Sequence, residues 1–307
     1  MNAMAKNYVV AVDLGGTKLA AALVDAKGNV SQQMSDAVDT HSSLAPVKQI
    51  VEVARELIHA KGGKKNISGI GVAVPGLVRR DGTVWAPNLK GWSRMALAQR
   101  LKRALGLPVM VESDRNAAVL GEAWCGAARG KSDAIVLMVG TGIGAGILSG
   151  GSLVRGAHEL SGCAGWMVVA EAKGREAQNA GQLESLAAGP AIARAAGAVS
   201  AEEVAEAARR GDRASIEVYL EAGRMLGYGV ANLVSLFDPE VVVIGGGLAK
   251  AGDLFLIPLR KAVKEWAQPI AARRVRIVLS PLGSRANLLA VARLAGAMGR
   301  VGRGGRG

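Results

Sequence analysis

The feature that most constrains the fold is a pattern that occurs twice: an apolar strand, a turn rich in glycine that contains threonine, and a second strand. The first copy is Val9–Lys18, VVAVDLGGTK, and the second begins about 130 residues later, where Ala134–Val139 leads into Gly140–Gly146. Apolar residues beside small ones indicate a buried strand, and paired glycines indicate a tight turn. Either turn alone is also explained by an ordinary β-hairpin. The pair predicts an internally duplicated fold with two phosphate-binding loops.

The first turn has the chemistry of an anion site. Gly15 and Gly16 leave backbone N–H groups accessible, and Thr17 and Lys18 add a hydroxyl and a positive charge. Successive backbone N–H groups in such a turn form a concavity that binds phosphate. Asp13, at the end of the strand, is placed to hold a hydrated Mg²⁺ beside that anion.

A second candidate carboxylate follows a later strand. Asp114 comes directly after Ser113, between the strand Pro108–Glu112 and a helix rich in alanine. Aspartate is a favoured N-cap residue, so a purely structural role explains it. A carboxylate at the C-terminal end of a strand is equally well placed to face a substrate hydroxyl. The sequence leaves both roles open.

The remaining periodicity predicts strands and helices in alternation, which is typical of an α/β fold covered by helices. The predicted strands are Tyr8–Asp13, Lys18–Val24, Val30–Val38, Ile67–Val74, Pro108–Glu112, Ala134–Val139, Glu240–Ile244 and Val275–Leu279. The predicted helices span about 47–58, 93–105, 114–129, 183–196, 201–210, 213–237, 254–266 and 286–298. Glu240–Ile244 leads into Gly245, Gly246 and Gly247, a further site of close backbone approach.

Composition narrows the class of protein. The 307 residues have a formal net charge of +13, which favours anionic partners such as nucleotides, polyphosphate or nucleic acid. The short Gly/Arg segment at 300–307 is more typical of a solvated terminus than of an RNA-binding element, so no nucleic-acid partner is expected. Cys125 and Cys163 have neither disulfide nor metal spacing. With no apolar run of spanning length and no signal pattern, we expect a cytoplasmic protein without a membrane partner.

Six motifs in order make the chain resemble the ROK family (repressors, open reading frames, kinases) of the actin-like ATPase superfamily. They are Asp13–Lys18, Gly71–Gly76, Ala86–Trp92, the Asp114 segment, Gly140–Gly146 and Asp238–Gly247. The resemblance implies a duplicated, ribonuclease H-like fold with two domains around a cleft. It implies a small N-terminal domain of residues 1–117 plus about 286–307, and a large domain of 118–285. Related kinases are commonly dimers, so a homodimer is expected.

The resemblance implies a glucokinase-like activity, ATP-dependent phosphorylation of a sugar hydroxyl, with ATP and Mg²⁺ as cofactors. Asp114 would accept the proton of the attacking hydroxyl, and Asp13 would hold Mg²⁺ directly or through water. Phosphate and nucleotide contacts would come from Gly15, Gly16, Thr17, Lys18, Gly140, Thr141, Gly142, Gly245, Gly246 and Gly247. Sugar contacts would come from Gly76, Asn88, Ser113, Asp114, Cys163, Trp166 and Glu184.

The chain also departs from the family's pattern. Ser113 stands where family kinases usually have Asn, and Cys163 and Trp166 stand where they have the Glu and His of a Glu-x-Gly-His motif. The three cysteines that join that His on a structural zinc align with Arg175, Ala177 and Gln182, so we expect no zinc. The chain begins at its first strand, so the helix-turn-helix of family repressors is expected to be absent.

These departures leave several interpretations of the function. Loss of two charged hydrogen-bonding groups predicts weak selection for glucose, and Trp166 offers a flat apolar surface for a sugar C–H face, an acyl group or a deoxy group. Alternatively, Trp166 and Cys163 only fill space left by the zinc. For the whole chain, a non-catalytic protein that senses sugar or nucleotide and a kinase that uses polyphosphate as donor are the alternatives to an ATP-dependent sugar kinase.

Overall fold

The computed structural model describes residues 8–170 and 175–304. The strands are β1 (Tyr8–Leu14), β2 (Lys18–Asp25), β3 (Val30–Ala37), β4 (Ile67–Val74), β5 (Leu77–Val78), β6 (Val84–Trp85), β7 (Val109–Ser113), β8 (Ala134–Val139), β9 (Ile143–Ser149), β10 (Ser152–Leu153), β11 (Val241–Gly245) and β12 (Arg276–Leu279). The α-helices are α1 (Ala45–Ala60), α2 (Leu97–Leu105), α3 (Asp114–Cys125), α4 (Arg175–Ala180), α5 (Gln182–Ala187), α6 (Gly189–Ala195), α7 (Ala201–Arg209), α8 (Arg213–Phe237), α9 (Gly252–Trp266), α10 (Pro269–Arg274) and α11 (Arg285–Gly304).

Two five-stranded sheets share one topology. Their strand orders are β3-β2-β1-β4-β7 and β10-β9-β8-β11-β12. In both sheets the central strand pairs antiparallel with the strand that follows its glycine turn and parallel with the neighbour on its other side. The predicted duplicated α/β fold is therefore confirmed.

The described residues form two compact units. Unit 1 comprises residues 8–125, 156–160 and 284–304, and unit 2 comprises 126–155, 161–170 and 175–283. The expected domain boundary between residues 117 and 118 would cut α3, whereas the division between Cys125 and Gly126 keeps this helix whole. Residues 156–160 were expected in the large domain and belong to unit 1.

The core of unit 1 follows from the alternation of β1. Val10, Val12 and Leu14 join one apolar cluster with buried residues of α1 and α2. Residues 9, 11 and 13 have the opposite orientation because successive side chains of a strand alternate between faces. On that side helix α11 packs closely, since a Cβ on Gly71 of the adjacent strand β4 would lie 2.2 Å from the Val291 carbonyl oxygen. Asp13 therefore emerges on the side of the sheet that α11 covers.

The core of unit 2 is built in the same way around β8. Ile135, Leu137 and Val139 belong to one apolar cluster with buried residues of α8 and α9. These two helices pack closely because Gly223 and Gly227 of α8 carry no side chain. A Cβ on Gly223 would lie 2.5 Å from the Phe255 carbonyl oxygen.

For two helices, one predicted end is wrong. Helix α2 begins at Leu97 rather than near residue 93, because Met95 exchanges backbone hydrogen bonds of 2.8 and 2.9 Å with Val84 of the β5–β6 hairpin. Helix α3 ends at Cys125 rather than near Arg129, since Gly126 follows.

The predicted helix 183–196 is also wrong, because it consists of two helices. Ala188 is extended, with φ −76° and ψ 165°, and separates α5 from α6. Pro190 then stands in the first turn of α6, where the missing N–H is tolerated.

Within residues 8–170 and 175–304, none of the helices combines the length and the apolar character that crossing a bilayer requires.

Candidate active site

The first glycine turn joins β1 to β2 in unit 1. The Gly15 N–H donates to the Lys18 carbonyl oxygen at 2.8 Å, which closes the turn. Gly16, Thr17 and Lys18 are exposed. A Cβ on Gly16 would lie 3.9 Å from Cβ of Asn88, so the predicted phosphate loop and a predicted sugar-binding residue are neighbours.

Asp13 precedes this turn and is held by the last helix of the unit. The Asn287 Nδ2 group donates to the Asp13 Oδ1 atom at 3.1 Å. Burial raises the pKa of Asp13 to about 7; the Asn287 hydrogen bond opposes this shift and the charge of Asp114 adds to it. Strand register places the two predicted carboxylates at the same edge of the sheet, because Asp13 pairs with Ala73 of β4 and the next residue, Val74, pairs with Ser113, which precedes Asp114.

Asp114 is the first residue of α3, directly after the end of β7. Burial raises its pKa, while the backbone N–H and the charge of Arg115 act in the opposite direction. The Asp114 Oδ1 atom accepts the Arg115 N–H at 2.8 Å. Beside it, the buried hydroxyl of Ser113 has no hydrogen-bond partner among the described residues.

The residues around Asp13 fit a hydrated magnesium ion. Mg²⁺ is usually bound by one or two carboxylates, by phosphate oxygens and by several waters. Asp13 supplies a carboxylate, and the buried Oδ1 atom of Asn287 has no hydrogen-bond partner among the described residues. Larger protein cages are not found: the described residues contain no cluster of three or more His, Cys, Asp or Glu side chains arranged to hold a metal ion.

Gly76 and Asn88 lie on the segment between β4 and α2. Gly76 has φ +92°, and a Cβ there would lie 2.3 Å from the Trp85 carbonyl oxygen, so only glycine fits this turn. Asn88 is exposed and follows a buried Ala86. The indole N–H of the buried Trp92 donates to the Ser43 carbonyl oxygen at 2.8 Å and fixes the end of this segment.

The sequence did not indicate a further charged group beside Asp114, the guanidinium group of Arg115. A side-chain N–H of Arg115 donates to the Glu159 carbonyl oxygen at 3.0 Å, and the Glu159 carboxylate forms an ion pair with Arg80 at 3.2 Å. Segment 156–160 is thereby attached to unit 1. The two arginines are distant from Glu159 in sequence, so no local pattern reveals these contacts.

The second glycine turn joins β8 to β9 in unit 2 and is fixed by backbone hydrogen bonds within the turn and from α6. The Gly140 N–H donates to the Gly142 carbonyl oxygen at 2.9 Å, and the Gly189 N–H donates to the Gly140 carbonyl oxygen at 2.8 Å. Thr141 is exposed between them. A Cβ on Gly140 would lie 3.8 Å from the Gly247 backbone nitrogen, so this turn adjoins the predicted adenosine-side glycines.

Glu184 lies against the second glycine turn. Its Oε2 atom accepts the Ile143 N–H at 2.6 Å, and a Cβ on Gly142 would lie 2.8 Å from the same oxygen. Burial raises the pKa of Glu184, and the Ile143 N–H opposes the shift. The carboxylate thus contacts a predicted phosphate loop, which the sequence did not indicate.

The segment with Cys163 and Trp166 runs beside Glu184. The Gly162 carbonyl oxygen accepts the Ala145 N–H at 2.7 Å, which ties the segment to β9. The Trp166 side chain is 56% exposed and Cys163 is partly buried. An exposed indole does not fill interior space, so the space-filling interpretation does not account for Trp166.

The three glycines after β11 differ from one another. A Cβ on Gly245 would lie 2.8 Å from the Met138 sulfur atom, and one on Gly246, with φ +85°, would lie 2.3 Å from the Val139 carbonyl oxygen. Gly247 has nothing within 4 Å of such an atom. Close packing against β8 therefore explains why residues 245 and 246 are glycines. At Gly247, by contrast, the space that a side chain would occupy is open.

Two sheets of identical topology, each with a glycine turn after its central strand and one with a pair of carboxylates, define the actin-like ATPase fold. Comparison with known proteins agrees. The ROK family model matches residues 9–297. A glucokinase of Streptomyces coelicolor is 32% identical over 318 residues, covering 93% of this chain and 96% of the relative.

Solved structures agree as well. The ROK hexokinase of Thermus thermophilus has a TM-score of 0.78 and 31% identity and covers 96% of this chain and 99% of its own. A ROK family glucokinase from Streptomyces griseus, in complex with glucose and AMPPNP, has a TM-score of 0.77 and 29% identity and covers 94% and 98%. The chain belongs to the ROK family.

Proposed function

We propose that this chain is an ATP-dependent kinase that transfers the γ-phosphoryl group to a hydroxyl of a hexose or hexose derivative. The observation that supports it most is the pair of carboxylates, Asp13 and Asp114, at one edge of the sheet and next to a glycine turn whose residues 16–18 are exposed. Phosphoryl transfer needs mainly positioned groups and charge stabilisation, which these residues supply. The similar glucokinases and the complex with glucose and AMPPNP support the same reaction.

Asp114 is the proposed catalytic base. A general base must hydrogen-bond to the hydroxyl that loses its proton, and it works best when its pKa approaches the working pH. Burial shifts the pKa of Asp114 in that direction. Its Oδ1 atom already accepts the Arg115 N–H, which leaves Oδ2 for the sugar hydroxyl.

Asp13 is the proposed anchor of Mg²⁺, directly or through water. When bound, the ion neutralises charge on the phosphates of ATP. The proposed phosphate donors are the N–H groups of Gly16 and Thr17 in unit 1 and of Thr141 and Gly142 in unit 2, with Lys18 adding a charge. The N–H groups of Gly15 and Gly140 close the two turns by donating to the Lys18 and Gly142 carbonyl oxygens. Gly247 leaves room for the nucleotide.

The sugar is proposed to contact Gly76, Asn88, Ser113 and Asp114 of unit 1, and Cys163, Trp166 and Glu184 of unit 2. Trp166 supplies an exposed flat apolar surface, and neither it nor Cys163 provides a charged partner for a ring hydroxyl. Each missing charged hydrogen bond is worth roughly 1.5–3 kcal/mol. We therefore propose that the preferred substrate is not glucose but a sugar with an acyl or deoxy group.

A coupled assay of ADP release over hexoses, amino sugars and acylated amino sugars tests this function. We expect turnover that requires Mg²⁺ and falls by at least about hundredfold in Asp114→Asn. Asp36→Asn is a matched control, because the Asp36 Oδ1 atom also accepts the next residue's N–H at 2.8 Å but lies exposed on β3. Lack of turnover with every sugar would refute the proposed ATP-dependent kinase activity.

Two further measurements separate the alternatives. Because Ser113, Cys163 and Trp166 depart from the family's pattern, a non-catalytic sensor would show sugar or nucleotide binding in calorimetry without turnover. A kinase that uses polyphosphate, which the net charge of +13 favours, would release phosphorylated sugar with polyphosphate in place of ATP.

A homodimer is proposed as the assembly. Helices α8, α9 and α10 of unit 2 expose large apolar side chains, among them Leu236, Ile257 and Trp266, which is 63% exposed. Apolar side chains of this size are common in contacts between subunits. Light scattering on the eluted protein should give twice the mass of 31.4 kDa, and a monomer would refute the assembly.

A further inference from the structure

Asn287, in the first turn of α11, contacts the proposed metal anchor although 274 residues separate it from Asp13. The side chain is 7% exposed, and its Nδ2 group donates to the Asp13 Oδ1 atom at 3.1 Å. The ionised carboxylate, which is the form that binds a metal ion, accepts hydrogen bonds only, so the amide turns its NH₂ group towards Asp13. The amide oxygen is then fixed close to the carboxylate but directed away from it.

That amide oxygen has no hydrogen-bond partner among the described residues. A buried polar atom left unsatisfied is costly, and in native proteins it often indicates a bound water or ion. Alanine at this position would avoid the cost, and alanines are frequent elsewhere in α11. The orphaned oxygen therefore requires an explanation beyond the packing of the helix.

Helix α11 packs closely against its neighbours on both sides of this atom. A Cβ on Gly121 of α3 would lie 2.1 Å from the Ala286 carbonyl oxygen, and one on Gly71 of β4 would lie 2.2 Å from that of Val291. These two close contacts fix the helix immediately before Asn287 and one turn after it. Packing of the helix and the hydrogen bond together place the amide beside Asp13.

We propose that Asn287 is a positioning residue for Mg²⁺: its Nδ2 group orients the Asp13 carboxylate, and its Oδ1 atom accepts a hydrogen bond from a water bound to the ion. Mg²⁺ keeps several of its waters in proteins, and each of those waters is a strong hydrogen-bond donor. A carboxylate and an amide oxygen side by side offer two acceptors to such waters. This inference rests on the proposed role of Asp13.

Binding of Mn²⁺, a substitute for Mg²⁺, measured by electron paramagnetic resonance in the presence of ADP, tests the inference without turnover. Asn287→Leu keeps the size of the side chain and removes both polar atoms. We expect it to weaken Mn²⁺ binding roughly three- to tenfold, the worth of a typical net hydrogen bond. Calorimetry with ADP and EDTA should show unchanged nucleotide binding without the metal.

Asn116→Leu is the matched control. Asn116 is equally buried, at 6% exposure, and its Nδ2 group also donates to a carboxylate, the Glu112 Oε1 atom at 3.0 Å. We expect both variants to lose thermal stability, but only Asn287→Leu to lose affinity for Mn²⁺. Asn287→Ala replaces it if the leucine variant does not fold.

The outcomes distinguish the two proposals. Wild-type binding of Mn²⁺ together with equal binding by the Asn287 variant would overturn the role of Asn287 and leave that of Asp13 standing. No binding by the wild type would overturn both. Equal weakening in the Asn116 control would show a merely structural effect and would also overturn the role of Asn287.

Discussion

The Asp13→Asn substitution is expected to stabilise the protein in the absence of metal. Burial raises the pKa of Asp13 from 3.8 to about 7, so the folded state resists ionisation of this carboxyl group. Below about pH 4 both the folded and the unfolded state hold the proton, and the group costs nothing. As the pH rises to about 7 the unfolded state ionises first, which progressively lowers the free energy of unfolding. Above about pH 7 the full cost is present.

The pKa shift limits that cost to about 4 kcal/mol. Asp13 keeps some contact with solvent and its carboxylate accepts the Asn287 hydrogen bond, so we expect a gain of about 1–3 kcal/mol for Asp13→Asn at pH 8. The gain should be smaller at pH 5. Buried acidic groups in functional sites often lower the free energy of unfolding, because they are kept for their chemistry rather than for stability.

Urea unfolding of both proteins at pH 5 and pH 8, with EDTA present, measures this effect. Asp81→Asn is a control of opposite sign, because hydrogen bonds from Thr83 and Arg94 hold the pKa of Asp81 down to about 2. That variant should lose stability or stay unchanged at pH 8. If Asp13→Asn were less stable than the wild type at pH 8, or gained equally at both values, the assignment of a costly buried charge would be refuted.

Three further outcomes are expected. Glu184→Ala should raise KM for the sugar and for ATP, each about tenfold, because the variant loses a proposed sugar contact and the second glycine turn loses its carboxylate acceptor. Steady-state kinetics with each substrate varied would contradict this if neither KM rose. Gly76→Ala should lower the free energy of unfolding in urea by more than about 2 kcal/mol, because the φ of this residue is +92° and the new Cβ would meet the Trp85 carbonyl oxygen. Unchanged stability would disprove the strain. Cys163→Glu combined with Trp166→His should raise kcat/KM for glucose tenfold or more, and a decrease for glucose would count against the proposed pocket.

The duplicated fold was predictable because its signals are local. The strand, glycine turn and strand at 8–24 and at 134–149 each lie within about 17 residues, and both form the predicted antiparallel pairs. Hydrophobic periodicity likewise indicated α7 and α8, which begin at the predicted residues 201 and 213.

Long-range contacts were not predictable. Asn287 reaches Asp13 across 274 residues, and nothing in its own neighbourhood distinguishes it from a polar residue at the start of a helix. The contact of Glu184 with the second glycine turn is hidden for the same reason. The break at Ala188 was missed because apolar periodicity continues across it, although Pro190 was a visible local signal.

Helix α11 belongs to unit 1 but follows unit 2 in the sequence, and this order determines when unit 1 can be completed during synthesis. This helix fits against Gly71 and Gly121, yet the ribosome makes it only after all of unit 2. At about 5–20 residues per second, roughly 8–30 s pass between the synthesis of α3 and that of α11. During this interval the nascent sheet exposes the glycine-lined surface that α11 later covers, and Asp13 lacks its amide partner. Unit 2 is therefore expected to resist protease on stalled nascent chains before unit 1 does, and the reverse order would contradict this sequence of events.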